Sequence, residues 1–290
     1  MKTVTLISAL CLIAMASGPI EAADTPVLTV YTYDSFAADW GPGPKIKSGF
    51  EKTCGCVVDI VAGDSSIGMF RKIQLEQKNP KADVILGLDT NLAEIARKTG
   101  LFTEHNADTG NLVLPVDWSD AQFLPFDYGY FAFVYDNEKL PAPPKSIKDI
   151  ATTPDGFKII IQDPRSDTTG LGLLLWVKQA YPDQAADIWQ ALGPKILTIT
   201  KGWSEAYNLF LKGEADMVLS YTTSPAYHMI AENVQRYQAA PFDEGHYMQI
   251  ETGAVLKSSK HRDLAQRFMQ FMISDEVQGV IPQTNWMLPV

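Results

Sequence analysis

Residues 191–227 read as strand, helix, strand, helix, and that alternation leaves few folds open. Ile196 to Thr200 are rich in β-branched side chains. Trp203 to Lys212 carry apolar residues at helical spacing, between a candidate N-cap at Ser204 and a stop at Gly213. Residues 216–220 make a second short apolar strand, and Ser224-Pro225 has the signature of a capped helix start. The same order recurs earlier, with strands expected over 26–33, 56–62, 83–88 and 158–162 and helices over 67–77, 91–98 and 171–181. A strand–helix repeat of this kind favours parallel pairing with helices packed on the sheet. A long aromatic strand (126–135) and a return strand (residues 245–257) mark two crossings, near Phe126 and near Tyr247. The expected molecule is therefore an α/β protein of two lobes facing a cleft, residues 24–126 plus 247–290 forming one and 127–246 the other.

In an open α/β sheet, ligands bind outside the carboxyl ends of the strands. Aromatic residues recur at such ends and in the loops beside them: Tyr33, Trp40, Trp203, Tyr221, Tyr227 and Trp286. Each alone reads most simply as a core anchor. Together they could form a cage for a flat or cationic heteroaromatic ligand, since aromatic faces attract cations by roughly 0.5–2 kcal/mol each. The turn 63–66 either caps the following helix or offers N–H and hydroxyl donors to an anion.

Other chemistry is poorly supported. The sequence contains no G-x-S-x-G, H-E-x-x-H or Walker loop, so no catalytic residues are nominated. His105, His228, His246 and His261 are scattered without metal-ligand spacing, and Tyr221 is followed by Thr222 rather than by the second tyrosine a ferric site would want. No metal or cofactor is expected. A formal net charge of −10 argues against nucleic acid and anionic membranes as partners and mildly favours cationic ligands. Residues 1–23 have the short apolar core of an export signal, too short to span a bilayer as a mature helix. In an oxidising compartment Cys54 and Cys56 could close a small disulfide; the alternative is two free thiols.

The blocks 27–43, 125–136, 170–176, 201–207 and 219–228 resemble the periplasmic thiamine-binding proteins of bacterial thiamine ABC transporters, and the likeness runs from Pro26 to Val290. The resemblance implies the two-lobed type II periplasmic binding protein fold, with two parallel or mixed sheets flanked by helices and joined by a two-strand hinge. It implies a monomer in the periplasm that captures thiamine, thiamine monophosphate and thiamine diphosphate and delivers them to an inner-membrane ABC permease and its ATPase. Carried over by position, Tyr33, Trp40, Trp203, Tyr227 and Trp286 would surround the pyrimidine and thiazolium rings. Tyr221, Thr222, Thr223 and Ser224 would contact the ligand through hydroxyls and backbone. The turns at Ser65-Ser66 and Asp167-Thr168 match positions that receive the hydroxyethyl or phosphate end.

The sequence departs from that family in having Ser65-Ser66 in place of an Asp-Gly pair and Asp167 in place of a serine. An aspartate repels a phosphate unless a cation intervenes, so a shift in preference towards unphosphorylated thiamine is expected. The family also carries a further helical tail after the position of Trp286, whose absence would be expected to affect stability or permease docking. Two alternatives remain: a thiaminase-like enzyme, whose cysteine nucleophile would have to be Cys54 or Cys56, and a binder of another small cationic solute.

Overall fold

The computed structural model describes residues 25–76 and 79–290; the expected export signal lies outside them. Among the described residues eleven strands are formed: β1 (Val27–Tyr33), β2 (Val57–Gly63), β3 (Val84–Asp89), β4 (Phe102–Thr103), β5 (Phe123–Asp136), β6 (Ile159–Gln162), β7 (Ile196–Thr200), β8 (Met217–Tyr221), β9 (Tyr237–Ala239), β10 (Met248–Leu256) and β11 (Leu288–Pro289). They join in one continuous sheet, ordered β2-β1-β3-β10-β5-β8-β6-β7, with β4, β9 and β11 paired at its flanks. The β1–β2, β1–β3, β6–β7 and β6–β8 pairs are parallel. β10 runs antiparallel to both β3 and β5, and β5 runs antiparallel to β8.

The two sheets expected from the sequence thus share a strand. β5 is 14 residues long. Its residues 123–130 pair with β10, and residues 131–135 pair with β8. The return strand is also one element, irregular between Thr252 and Gly253 against β3 and between Glu251 and Thr252 against β5.

Both faces of the sheet are covered. Leu28 and Val30 of β1 and Val84 and Leu86 of β3 join one apolar layer with Phe36, Phe126 and Phe268. Tyr31, next after Val30, and Ile85, between Val84 and Leu86, join the opposite layer with Ile67 and Phe70. At the other end Phe133, Ile161 and Leu219 face one layer, while Val134, Ile160 and Val218 face the other with Tyr207 and Phe210. Successive strand residues point to opposite sides, so a strand covered by helices on both sides reads as an unbroken apolar run. That layered support holds the strand ends rigid, and the loops leaving them carry the site.

Cys54 and Cys56 are joined in a disulfide with their Cα atoms 5.2 Å apart, at the end of the helix Gly43–Cys54, where Gly55 turns the chain with a φ of 65°. Two helix starts differ from expectation. Ser204 is not the cap of its helix, which begins at Trp203 after Gly202, and its hydroxyl donates instead to Asp34 Oδ1 at 3.0 Å. Ser224 is likewise inside its helix, sharing a hydrogen bond with Ser220 Oγ at 2.7 Å and accepting one from the Tyr221 amide.

Candidate ligand-binding site

Strands β1, β2, β6, β7 and β8 end on a common opening. The loops that follow, with Glu251 of β10 and the segment 285–287, line a cavity of about 230 Å³. Trp203 stands where β7 gives way to a helix. Its ring stacks on Tyr207 with centroids 4.8 Å apart, and its Nε1–H donates to Ser220 Oγ at 2.8 Å. Held by a stack and a hydrogen bond, the indole is preorganised rather than free to swing. Tyr227 and Trp286, which are 59 residues apart in the chain, meet edge to face at 5.4 Å. Trp286 has a φ of 56°, a left-handed conformation that a bulky side chain rarely adopts without compensation. Trp40 stands at the rim, 51% exposed.

The floor is polar and acidic. Tyr33 Oη donates to Glu251 Oε2 at 2.8 Å. Asn285 Nδ2 donates to Tyr33 Oη at 3.1 Å and to Asp127 Oδ2 at 2.6 Å. Tyr221 Oη donates to Gln249 Oε1 at 2.6 Å. Asp167 caps the helix Thr168–Ala180, its Oδ1 accepting from the Thr169 amide at 2.8 Å and from the Thr169 hydroxyl. Asp34, Asp64, Asp167 and Glu251 line the cavity, whereas no lysine, arginine or histidine does so among the described residues. Burial raises the carboxyls of Asp34 and Glu251 above the usual range and lifts those of Asp167 and the neighbouring Asp89 to about 6. Desolvation penalises the charged form, so this concentration of carboxyls favours a cationic occupant and disfavours an anionic one.

Of the residues nominated from the sequence, Tyr33, Trp40, Ser66, Asp167, Thr168, Trp203, Tyr221, Ser224, Tyr227 and Trp286 come together on this one cavity. Ser65, Thr222 and Thr223 are not part of its wall, and the first two are taken up in hydrogen bonds of the fold. Ser65 Oγ donates to the Ser166 carbonyl and accepts from the Gly68 amide. The Thr222 amide closes the sheet on Tyr130 O at 2.9 Å. The Thr223 hydroxyl is buried without a partner among the described residues. Sequence reasoning passed over Glu251, Asp34, Asp64, Tyr207 and Asn285. Asp34 and Asp64 follow strand ends, the same signal that singled out Trp203. Glu251 is an acid inside a buried strand, a residue type that is buried only where something answers it.

Segments far apart in sequence meet beside the cavity: Ser65 to Ser166 and Ser204 to Asp34. Gly202 presses against Asp64 so closely that a Cβ there would lie 2.3 Å from the Asp64 carbonyl oxygen.

Residues 28–279 match the family described as "Bacterial extracellular solute-binding protein". The thiamine-binding periplasmic protein of Escherichia coli K12 is 52% identical over 279 residues, covering 96% of this chain and 85% of that one. The thiamine-binding periplasmic protein of Haemophilus influenzae is 44% identical over 265 residues, covering 91% and 79%. A solved structure, "Periplasmic thiamin binding protein", superposes with a TM-score of 0.90 at 54% identity, covering 92% of this chain and 84% of the other.

Proposed function

The chain belongs to the bacterial extracellular solute-binding proteins, and we propose that the solute it captures is thiamine. The observation that carries this reading is one cavity that combines Trp203, Tyr227 and Trp286 with acidic side chains and, among the described residues, no basic ones. Thiamine carries a flat aminopyrimidine and a permanently cationic thiazolium. Aromatic faces and carboxyls answer those two features, and relatives named for thiamine binding support the same choice. The protein acts in the periplasm as a monomer and hands its ligand to an inner-membrane ABC permease driven by an ATPase. An enzymatic reading has less support. The relatives are named as binding proteins, and Cys54 and Cys56, the thiols available to a thiaminase-like mechanism, are bonded to each other and do not line the cavity.

Residues 24–126 with 247–290 form one lobe and 127–246 the other, and the ligand is enclosed when they close. Gly202 then gauges the closure. Its φ of −150° is open to any residue, so its small size serves the approach to Asp64 rather than a backbone turn. Gly202→Val is expected to weaken thiamine binding at least about tenfold, roughly 1.4 kcal/mol, while the melting temperature of the empty protein hardly moves. Calorimetric titration and scanning calorimetry on the same sample check both halves of this expectation. A variant that binds like the parent would remove Gly202 from the closing contact.

Thiamine monophosphate and diphosphate are accepted less well. Ser66 and Thr168 offer hydroxyls to the far end of the ligand, but Asp64 and Asp167 flank them. A phosphate arriving there meets carboxyls without an intervening lysine or arginine on the wall among the described residues. Titration with thiamine and with thiamine diphosphate tests the function and this ranking together. Thiamine is expected to bind the tighter, on the order of tenfold or more, and by a wider ratio than in the Escherichia coli relative. No heat with either compound would refute the function, and equal or tighter diphosphate binding would refute the ranking alone.

A further inference from the structure

Three carboxyls lie in register across the middle of the sheet. Glu251 of β10 is opposite Asp89 of β3 on one side and opposite Asp127 of β5 on the other. Residues directly opposite on antiparallel strands share a face of the sheet. All three are buried, at 5%, 0% and 0% exposure, and Glu251 alone of them lines the cavity. Three adjacent buried anions without a cation would repel one another strongly, because low local dielectric magnifies the interaction.

The groups around Glu251 do not relieve this. Tyr33 of β1 donates a hydrogen bond to it, Gln249 on its own strand is taken up by Tyr221 of β8, and Asn285 serves Asp127 and Tyr33. The charges acting on it are Asp127, Asp89 and, from the helix start beyond β6, Asp167. Asp89 is answered on both oxygens, by the Leu92 amide and by the Asn91 side chain. Asp127 is not: its Oδ1 is buried and has no hydrogen-bond partner among the described residues. An unanswered carboxylate oxygen beside a second carboxyl is the arrangement that one shared proton satisfies.

We propose that the Asp127–Glu251 pair holds a proton while the cleft is empty and releases it when a cationic ligand settles against Glu251, so that capture exchanges a proton for the ligand's charge. On release the carboxyl O–H bond breaks, its electron pair stays on the carboxylate oxygen, and the proton passes to water. The pair thereby becomes a specificity element. A neutral molecule of thiamine's shape leaves the proton in place and gains nothing from the floor of the site. Burial raises both carboxyls above their usual range in the empty protein, and the neighbouring acids push Glu251 further, in keeping with a retained proton.

This inference rests on the thiamine reading, and the test separates the two. Thiamine is titrated into the intact protein at neutral pH in phosphate and in Tris, whose ionisation heats differ. The expected result is a buffer-dependent heat equivalent to about one proton released per thiamine, with affinity rising about tenfold per pH unit while the pair remains protonated and levelling once it is ionised. A neutral analogue with carbon in place of the thiazolium nitrogen is expected to release none. Glu251→Gln is expected to abolish the release and flatten the pH profile, and Asp127→Asn, which leaves the cavity wall untouched, to reduce both. Thiamine binding with the same heat in both buffers overturns the proposal and leaves the function standing, as does a Glu251→Gln protein that still releases a proton. No binding of thiamine in either buffer overturns both.

Discussion

Trp203→Ala is expected to weaken thiamine binding on the order of a hundredfold, about 3 kcal/mol. The indole offers a thiazolium or pyrimidine a flat face already fixed by Tyr207 behind it and by Ser220 at its nitrogen, so little ordering remains to be done on binding. A desolvated cation over such a face is worth about 2 kcal/mol, and the apolar surface that the ring shields from water supplies the rest. Trp40 provides the internal contrast. At 51% exposure its contribution is screened by water, and Trp40→Ala is expected to cost less than about tenfold. Titration of the two variants side by side checks the order. Equal losses would mean that the deep and rim aromatics act alike, contrary to a cage built on Trp203.

The stability of the empty protein is expected to fall as pH rises, against the habit of many proteins to be most stable near neutrality. Asp89 and Asp167 are buried and their carboxyls are lifted from 3.8 to about 6. In the unfolded chain they ionise near 4, so between these values the folded state binds more protons than the unfolded one and stability declines with pH. Each group lifted that far costs the ionised fold on the order of 3 kcal/mol. Asp127 and Glu251, also raised, extend the decline above pH 6. Below about pH 4 the trend reverses as ordinary paired carboxylates are lost, among them Asp120 beside Arg97. For a chain of this size the melting temperature is expected to drop by about 10 °C between pH 5 and pH 8. Scanning calorimetry of ligand-free protein reads it directly, and a flat or rising profile would show that these carboxyls are not held neutral. Asp167→Asn keeps the helix cap and should flatten part of the slope.

The strands that the sequence revealed are those with physical cause to be visible. β1, β3 and β7 are dominated by Val, Ile, Leu and Thr, with Tyr in β1. β4, β9 and β11 are two or three residues long, too short for any period to show, and they exist because a neighbouring strand offers free backbone groups. The helix Asp34–Ala37 was hidden by the Trp40-Gly41-Pro42 breaker run just after it. Strand direction in the middle of the sheet was equally hidden, because it depends on where long connections return rather than on local pattern. At the site, the rule that loops after parallel strands meet a ligand led to Tyr33, Trp203 and Tyr221, which share the cavity wall. It passed over Glu251, which lies inside a strand but lines the same wall, and it included Thr222 and Thr223, which follow β8 in a turn and stand outside that wall.

Trp286 holds its ring against Tyr227 from a backbone conformation that suits glycine or asparagine better. Its own amide bond to the Ile281 carbonyl helps keep it there. Descendants screened only for yield or heat resistance are expected to drift towards glycine at this position and, on the role proposed for the indole, to lose their cargo unnoticed. Lineages kept under vitamin starvation would retain the indole, so the residue at 286 records which of the two pressures a population has lived under.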